Sequence, residues 1–270
     1  MKLLADSFNV LPLHDAVRAL AEDNLPPRAV CITFDDGYRS IHDFALPILK
    51  EFGLPATVFV TTGYISKSNM WNDRILEVMR QLPAGAIDLS DIGLGVHQLE
   101  ALSEREQTVR SLMEKIKYLP PDTRLGIVQN LEERFGIALP HGLMLTPQMI
   151  VNLAQSNVEI GGHTISHPIL SALDDDNARE EIFGNKQHLE NIIGKPLRFF
   201  AYPNGKLGRD FNERHIQMVK EAGYIAAFTT AKGAATHHND PFQLPRSRPW
   251  DPTPFRFGIR LLSWFSQKST

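Results

Sequence analysis

Hydrophobic positions in this chain follow two patterns, which are short continuous apolar runs and longer stretches in which apolar residues recur three and four positions apart. The runs predict buried strands, and the longer stretches predict amphipathic helices. Residues 29–62 contain strand, helix and strand in turn, the order of a βαβ unit in an α/β fold with parallel strands. The predicted strands are residues 29–34, 56–62, 158–160, 197–202, 225–229 and 242–246, and the predicted helices are residues 11–24, 41–52, 174–193, 211–222 and 255–265.

The alternation pauses between the second strand and the strand that begins at Val158. Residues 71–154 carry mainly helical patterns, interrupted at Pro120 and Pro121. We interpret this stretch as a helical insertion that packs outside the sheet, within a single domain of residues 1–270. A separate domain is less favoured, because the stretch shows neither a set of strands nor chemistry of its own.

Composition and charge narrow the functional classes. With 43% hydrophobic residues the chain can form an ordinary packed core, and a net charge of -3 does not suggest a nucleic-acid partner. No apolar run approaches the roughly 18 residues of a membrane span, so no transmembrane segment is expected. The N-terminus is too weakly apolar for a secretory signal, which predicts a cytoplasmic protein, or a periplasmic or extracellular one if a leader has been removed. The single cysteine, Cys31, excludes a disulfide within the chain and is predicted to be a buried thiol. The sequence leaves the oligomeric state open.

Polar clusters follow four of the predicted strands. They are Asp35-Asp36, His163 to His167, Tyr202 to Gly205, and Arg246 to Arg248. The carboxyl ends of parallel strands lie on one face of a sheet or barrel, where ligands bind. We therefore expect these four clusters to meet in one cleft.

The first two clusters contain the residue types of a metal site. Asp35 and Asp36 are adjacent carboxylates at the end of an apolar run, and their repulsion calls for a positive charge such as a divalent ion. His163 and His167 are four residues apart, beside glycines and a proline that favour a loop. One carboxylate and two neutral imidazoles form the open ligand set of a catalytic zinc, with a fourth position for water. A solvated Asp-Asp-Gly turn and an incidental histidine pair are the plainer alternatives.

Two unbroken motifs resemble those of the polysaccharide deacetylase family, carbohydrate esterase family 4. They are Thr33-Phe34-Asp35-Asp36-Gly37 and His163-Thr164-Ile165-Ser166-His167-Pro168, and the resemblance extends over residues 27–248. It implies a distorted (β/α)7-type barrel of about seven strands. It also implies a metal-dependent hydrolase that removes acetyl groups from N-acetylated sugars.

The resemblance implies roles for individual residues. Asp36, His163 and His167 correspond to metal ligands, and Asp35 corresponds to the general base. The expected cofactor is a divalent ion, Zn²⁺ before Co²⁺, Ni²⁺ or Mn²⁺, whose bound water attacks the acetyl carbonyl with Asp35 accepting the proton. The expected partner is an N-acetylated polysaccharide or oligosaccharide.

The third family motif, usually Arg-x-Pro-Tyr-Gly, is altered in this chain. It reads Ala201-Tyr202-Pro203-Asn204-Gly205, so that an alanine stands where the arginine partner of the base is expected. By the resemblance, the backbone N–H of Asn204 stabilises the oxyanion, a role that does not depend on the side chain.

The fifth family motif, usually Leu-x-His, reads Leu244-Pro245-Arg246. Arginine stays protonated and cannot act as the acid, which leaves His237, His238 or a proton returned by Asp35 as alternatives. The aspartate and tryptophan of the fourth motif, which normally buttress the arginine, are not recognisable either.

Four residues near these motifs are predicted to bind substrate: Tyr202, Pro203, Arg246 and Trp250. Trp250 and Arg248 are expected to wall the cleft, with core packing an equal interpretation of the tryptophan. Family members usually have a strand before the first helix, and this chain begins too late to hold one. We therefore expect a barrel that is open or patched on that side, or a sequence whose start is trimmed.

The leading functional hypothesis is an N-deacetylase of an acetylamino sugar in a polysaccharide or glycan precursor. An O-acetyl esterase or a small-amide hydrolase with the same metal site is the second hypothesis. A glycan-binding protein with an impaired site is the third, suggested by the altered third and fifth motifs.

Overall fold

The structure is a computed structural model that describes residues 1–67, 69–138, 141–247 and 251–266. Contacts within the chain divide it into two compact units. The first comprises Met1–Ser66 with Met144–Thr270, and the second comprises Lys67–Leu143. The second unit overlaps the predicted insertion over residues 71–143, and the assignment of the whole chain to a single domain stays a prediction.

A parallel sheet carries the first unit. Its five strands have the order β3-β4-β7-β8-β9, and a separate parallel pair is formed by β1 and β2. The α/β class and the barrel-type sheet are thereby confirmed, with five strands in a curled half-barrel. The strands are β1 (Asn9–Val10), β2 (Ala29–Val30), β3 (Thr33–Phe34), β4 (Ala56–Val60), β5 (Ala86–Leu89), β6 (Gly95–Gln98), β7 (Val158–Gly162), β8 (Phe199–Ala201) and β9 (Ala226–Phe228).

The helices follow the predicted apolar periodicity at most positions. The longest, α8, begins after the capping side chain of Asp174 and ends at Gly194, whose φ of +67° glycine adopts without strain. The helices are α1 (Lys2–Ser7), α2 (Leu13–Ala21), α3 (Leu46–Glu51), α4 (Trp71–Gln81), α5 (Leu102–Ile116), α6 (Pro121–Phe135), α7 (Pro147–Ala154), α8 (Asp175–Ile193), α9 (Glu213–Glu221) and α10 (Pro254–Ser266).

Three strands of the central sheet, β4, β8 and β9, are buried along their whole length. All five residues of β4 and all of β8 and β9 are buried, as expected for strands covered on both faces. The rings of Phe59, Phe199 and Phe228 pack together, with centroids 5.6 and 5.8 Å apart for the two pairs that include Phe228. This aromatic layer lies beneath the strand ends where the polar clusters were predicted.

Two predictions about the ends of the sheet were wrong. A strand does precede α2, the first helix that was predicted, because β1 pairs with β2 at the register Asn9 to Ala29. It is only two residues long, too short for a periodic pattern to reveal. The predicted strand 242–246 is a 3₁₀ turn at Pro241–Gln243 followed by a single bridge from Leu244 to Phe228. Pro245 lacks a backbone N–H, which opposes continuation of the ladder there.

The second unit contains a β-hairpin as well as helices, which corrects the expectation that this stretch has no strands. Strands β5 and β6 pair antiparallel through a turn that contains Gly93 at a φ of +75°. Arg74 of α4 forms a two-bonded ion pair with Glu132 of α6, with both N–O distances 2.6 Å. Each strand has four residues of mixed exposure, so neither produces the continuous apolar run that would predict it.

His215 gives the fold a titratable group whose effect on stability can be measured. The ring is fully buried at the start of α9, and its Nδ1 accepts the backbone N–H of Asn212 at 3.0 Å. Burial, aided by the charge of Arg214, lowers the pKa of His215 to about 4. The unfolded chain therefore binds a proton in the window from about pH 6.5 to 4 that the folded chain does not, and stability is lost as the pH falls through it.

We expect His215→Gln to remove this acid sensitivity, because glutamine at the third helical position can accept the same N–H but cannot titrate. The wild type should lose on the order of 3 kcal/mol more unfolding free energy than the variant between pH 7 and pH 4. Urea unfolding across this range measures the difference, and the exposed His188→Gln is the matched control. Equal losses in wild type and H215Q would show that His215 does not titrate on unfolding.

Candidate active site

The turn after β3 presents two adjacent carboxylates, Asp35 and Asp36. Asp36 has a φ of +72°, which is costly for a residue with a side chain, and Gly37 follows at +88°. The Asp36 carbonyl accepts the N–H of Thr61 at 3.2 Å, and the Gly37 carbonyl accepts the N–H of Leu145 at 2.9 Å. Backbone bonds from two separate segments therefore hold the turn in this conformation.

The loop after β7 carries the two histidines in a similarly unusual backbone conformation. Thr164 and His167 have φ values of +66° and +54°. The Thr164 hydroxyl donates to the His163 carbonyl at 2.5 Å and accepts the His167 N–H at 3.2 Å. The loop interpretation of the histidine pair is thereby confirmed, since His163 to His167 form no helix.

Asn185 of α8 is fully buried and forms hydrogen bonds to both sides of the histidine loop. Its Oδ1 accepts the N–H of His163 at 3.1 Å, and its Nδ2 donates to the carbonyls of Thr164 at 2.5 Å and Val60 at 3.0 Å. One amide therefore fixes the end of β4 and the start of the histidine loop relative to each other.

Glu181 supports the same loop one helical turn earlier on α8. Its Oε2 accepts the N–H groups of Ile165 and Ser166 at 2.7 and 2.8 Å, and its Oε1 accepts the Ser166 hydroxyl at 2.5 Å. A carboxylate that accepts three hydrogen bonds is a strong anchor for a loop.

Gly162 allows this close approach of α8 to β7. A Cβ at this position would lie 2.7 Å from Asn185 Oδ1 and 2.2 Å from the hydroxyl of Tyr224. Any side chain there would displace the asparagine that holds His163. The glycine before the first histidine is thus a packing requirement of the site.

Asp36, His163 and His167 converge on one point. Asp36 Oδ1 lies 3.5 Å from His163 Nε2 and 3.4 Å from His167 Nε2, and the three potential ligand atoms all lie within 4.8 Å of one another. His163 Nδ1 lies 2.7 Å from the Ala201 carbonyl oxygen, which can accept a hydrogen bond but cannot donate one. With Nδ1 donating, Nε2 keeps its lone pair toward Asp36, the tautomer that a metal ligand needs.

The electrostatics of this cluster favour a cation. Burial raises the pKa of Asp36, but the His163 hydrogen bond and the charges of His167, His163 and Arg246 lower it more, to about 2. Burial lowers the pKa of His163, but Asp36 and Asp35 raise it above its usual value. An ionised carboxylate beside two imidazoles is a donor set that fits Zn²⁺ and related divalent ions.

Asp35 faces a different positive group. Arg246 Nη1 donates to Asp35 Oδ1 at 2.7 Å and Nη2 donates to Oδ2 at 3.0 Å, the two-bonded geometry of an arginine and a carboxylate. Burial raises the pKa of Asp35, but the charges of Arg246 and His163 lower it by more than burial raises it, so the pKa lies below its usual value. Asp35 is therefore held ionised beside the cluster.

Other predicted site residues have different surroundings. Tyr202 is 1% exposed, stacks on Phe211 with ring centroids 3.8 Å apart, and donates its hydroxyl to the Phe242 carbonyl at 3.1 Å. Pro203 is also buried. The prediction that these two side chains bind substrate is corrected, because both pack inside the fold. Trp250 lies outside the described residues, as does Arg248.

Asn204 occupies the turn after β8 with a φ of +59°, and it is exposed. Its carbonyl accepts the Thr230 hydroxyl at 2.6 Å, which fixes the turn to the segment after β9. Of the proposed proton donors, His237 pairs with Asp23 after α2 at 3.0 Å, and the ring of His238 lies 3.8 Å from that of His237.

Asn185 and Glu181 were missed from the sequence, although a signal was present. The buried face of α8 consists of Ala178, Glu181, Ile182, Asn185 and Leu189. Two polar residues within an apolar helical stripe indicate buried groups that need partners.

None of the helices within the described residues is long and apolar enough to cross a membrane.

The chain belongs to the polysaccharide deacetylase family, whose sequence model it matches over residues 22–227. The family predicted from the Asp-Asp-Gly and histidine motifs is thus confirmed. The region matched begins directly after α2 and ends within β9, so it contains the strands that carry the cluster.

Three comparisons show what the chain is similar to. The putative polysaccharide deacetylase YxkH of Bacillus subtilis is 22% identical over 250 residues, 92% of this chain and 62% of YxkH. The poly-beta-1,6-N-acetyl-D-glucosamine N-deacetylase of Staphylococcus epidermidis is 31% identical over 102 residues, 38% of this chain and 35% of that protein. The chain thus spans less than two thirds of either relative. The structure of the Streptococcus pyogenes deacetylase PplD in complex with acetate has a similar fold, with a TM-score of 0.62, 20% identity, and coverage of 97% of this chain and 82% of that one.

We expect Asn185→Ala to destabilise the fold and to weaken metal binding, because it removes a hydrogen-bond partner from buried backbone groups of His163, Thr164 and Val60. The cost should be on the order of 3 kcal/mol in unfolding free energy, with Zn²⁺ affinity lowered about 10- to 100-fold, the range for groups that orient a metal ligand. Urea unfolding and calorimetric zinc titration measure the two effects. Asn191→Ala, at an exposed position on the same helix, is the control. Wild-type zinc affinity in folded N185A would contradict this role.

Proposed function

We propose that this protein is a metal-dependent N-deacetylase of an N-acetylglucosamine polysaccharide or oligosaccharide. The observation that supports it best is the convergence of Asp36, His163 and His167 from two distant turns, with the ionised Asp35 beside them. The three ligand atoms lie close enough to share one ion. A second carboxylate that is paired with arginine stays available as a base.

The chain's own groups would divide the work of amide hydrolysis. A divalent ion held by Asp36, His163 and His167 would lower the pKa of a water molecule and polarise the acetyl carbonyl. Asp35 accepts the proton of the attacking water, a role that suits a carboxylate kept ionised. The backbone N–H of Asn204 donates to the developing oxyanion. That N–H has no acceptor among the described residues.

The leaving amine needs a proton, and Asp35 is the group we assign to return it. Arg246 occupies the position of the family's usual histidine and stays charged. His237 is engaged by Asp23 at 3.0 Å. A single carboxylate that first accepts and then donates the proton completes the cycle without a second acid.

The substrate we favour is β-1,6-linked poly-N-acetylglucosamine, because the staphylococcal relatives carry that activity in their names. The metal we favour is zinc, with cobalt, nickel and manganese as alternatives, because the one-carboxylate, two-imidazole set suits all four ions.

Two substitutions should separate metal binding from proton transfer. His163→Ala removes a ligand and should abolish both bound zinc and acetate release. Asp35→Asn keeps the ligand set, so it should retain zinc while turnover falls about 10²- to 10⁴-fold, the scale of lost general-base catalysis. Elemental analysis of the purified proteins and an acetate assay on N-acetylglucosamine oligomers measure these effects. Full activity in zinc-free H163A would refute the proposal.

A substrate panel decides between the proposed reaction and its alternatives. β-1,6-linked and β-1,4-linked N-acetylglucosamine oligomers are compared with acetylated xylan at equal acetyl concentration. Acetate released faster from xylan would indicate an O-acetyl esterase instead. Oligosaccharide binding without acetate release, with each of the four metals supplied, would indicate a glycan-binding protein.

A further inference from the structure

We propose that Arg246 is the positioning residue of the base Asp35 and that it occupies, from the segment after β9, the space left by the small side chain of Ala201. This inference rests on the proposed function, because it assigns Asp35 as the base. It replaces the sequence-based prediction that Arg246 binds substrate.

The contact between Arg246 and Asp35 fixes both charge and orientation. Its two N–H···O bonds join residues 211 positions apart in the chain. Nη1 also lies 3.3 Å from the Thr33 hydroxyl, on the strand that leads into Asp35. The Arg246 side chain is 14% exposed and that of Asp35 is 35% exposed, so the arginine is the more enclosed partner. A planar guanidinium bonded to both oxygens restricts rotation of the carboxylate, which a single contact would not.

Two aromatic rings hold the guanidinium from below. Arg246 Cζ lies 4.9 Å from the ring centre of Phe59 and 6.0 Å from that of Phe228, within the range of cation–π attraction. Phe59 and Phe228 pack in one buried cluster with Ala201. Arginine stacked in this way has few alternative rotamers and is already oriented toward Asp35.

The register of the sheet places Ala201 beside this arginine. Ala201 pairs with Phe228 across β8 and β9, and Phe228 bridges to Leu244, two residues before Arg246. Ala201 is fully buried in the same cluster as Phe59 and Phe228, the two rings over which the Arg246 guanidinium lies. An alanine in the third motif and an arginine in the fifth are therefore two parts of one arrangement. The arginine reaches the base from the neighbouring strand end.

The adjacent carboxylates make a positive charge at Arg246 necessary. Asp36 is directed to the two imidazoles, and the charge of Asp35 would otherwise lie beside it with no cation of its own. Removing one partner of an enclosed ion pair leaves the other charge unpaired, which costs more than losing both partners. The pairing of Arg246 with Asp35 can therefore be tested by stability measurements, which do not depend on catalysis.

Steady-state kinetics of the zinc-loaded protein test whether Arg246 positions Asp35 for catalysis. Arg246→Met should lower kcat about 10²-fold, the effect of a catalytic group displaced by about 1 Å, with KM and bound zinc unchanged. Arg246→Lys, which keeps the charge but loses the second bond, should be intermediate. Arg179→Met, which breaks an exposed ion pair with Glu221, is the control. A raised KM with unchanged kcat in R246M would make Arg246 a substrate contact and overturn the proposal.

Moving the arginine from position 246 to position 201 tests whether side chains at these two positions occupy the same space. In the double variant Ala201→Arg with Arg246→Ala, an arginine on β8 can fill the space that the alanine at 246 vacates, and kcat should recover at least about tenfold over R246A. Ala201→Arg alone places two guanidinium groups in one space and should lower the melting temperature. A folded double variant with no recovery, or A201R with wild-type stability, counts against the shared space.

A double-mutant cycle of stability tests the ion pair itself, with zinc and with chelator. R246M should shift the urea midpoint downward because Asp35 loses its partner, and adding Asp35→Asn should raise the midpoint again. If the two single shifts simply add, Asp35 and Arg246 are not coupled and the proposal fails. This result stands whether or not the wild type releases acetate. If the wild type releases no acetate but Asp35 and Arg246 are coupled in stability, only the proposed function is refuted. If the wild type is active but the two shifts in urea midpoint add, the role of Arg246 is refuted.

Discussion

Asp35 and Asp36 share one backbone turn, and the surrounding structure gives each carboxylate a different positive partner. Asp36 meets the two imidazoles of the histidine loop at 3.4 and 3.5 Å, and Asp35 meets the guanidinium of Arg246 at 2.7 and 3.0 Å. Two like charges on adjacent residues would otherwise repel each other and resist burial. The separation into a carboxylate directed at two imidazoles and an arginine-paired carboxylate is what would allow one turn to supply both the proposed ligand and the proposed base.

This arrangement depends on backbone conformations that the residues would not adopt alone. Asp36, Thr164, His167 and Asn204 all have φ values between +54° and +72° although none is glycine. Such residues persist where the surroundings over-determine them, and they concentrate at functional sites. Here the surroundings are the ends of four parallel strands and two polar side chains of α8. Gly162 completes the arrangement, because it allows Asn185 to reach the backbone of His163.

Much of this site could be predicted from the sequence because its ligands lie in compact motifs. The Asp-Asp-Gly turn and the histidine pair each stand at the end of an apolar run, and parallel strands bring such ends together. The partner of Asp35 could not be predicted in the same way. The cluster that begins at Arg246 was expected in the same cleft, but it follows a segment that forms only a bridge to β9, and neither periodicity nor spacing shows which polar side chain of the cleft pairs with Asp35.

The remaining differences have similar physical causes. Strand β1 has two residues and the β5-β6 hairpin has four on each side, lengths at which pattern carries little information. The aromatic Tyr202 was predicted to face substrate because it sits in a motif, but its ring stacks on Phe211 and its hydroxyl is satisfied inside the fold. The sequence correctly placed Tyr202 at the end of β8, but it did not show that the side chain points into the fold.

The most direct test of the metal site is anomalous X-ray diffraction at the zinc absorption edge from crystals grown with one equivalent of Zn²⁺. We expect a single strong peak about 2.0–2.2 Å from Asp36 Oδ1, His163 Nε2 and His167 Nε2, the distances of zinc to carboxylate and imidazole ligands. We also expect that Asp35 does not ligate the ion and keeps both bonds to Arg246. A peak elsewhere, or none in crystals that contain zinc, would contradict the shared centre on which the proposed hydrolysis depends.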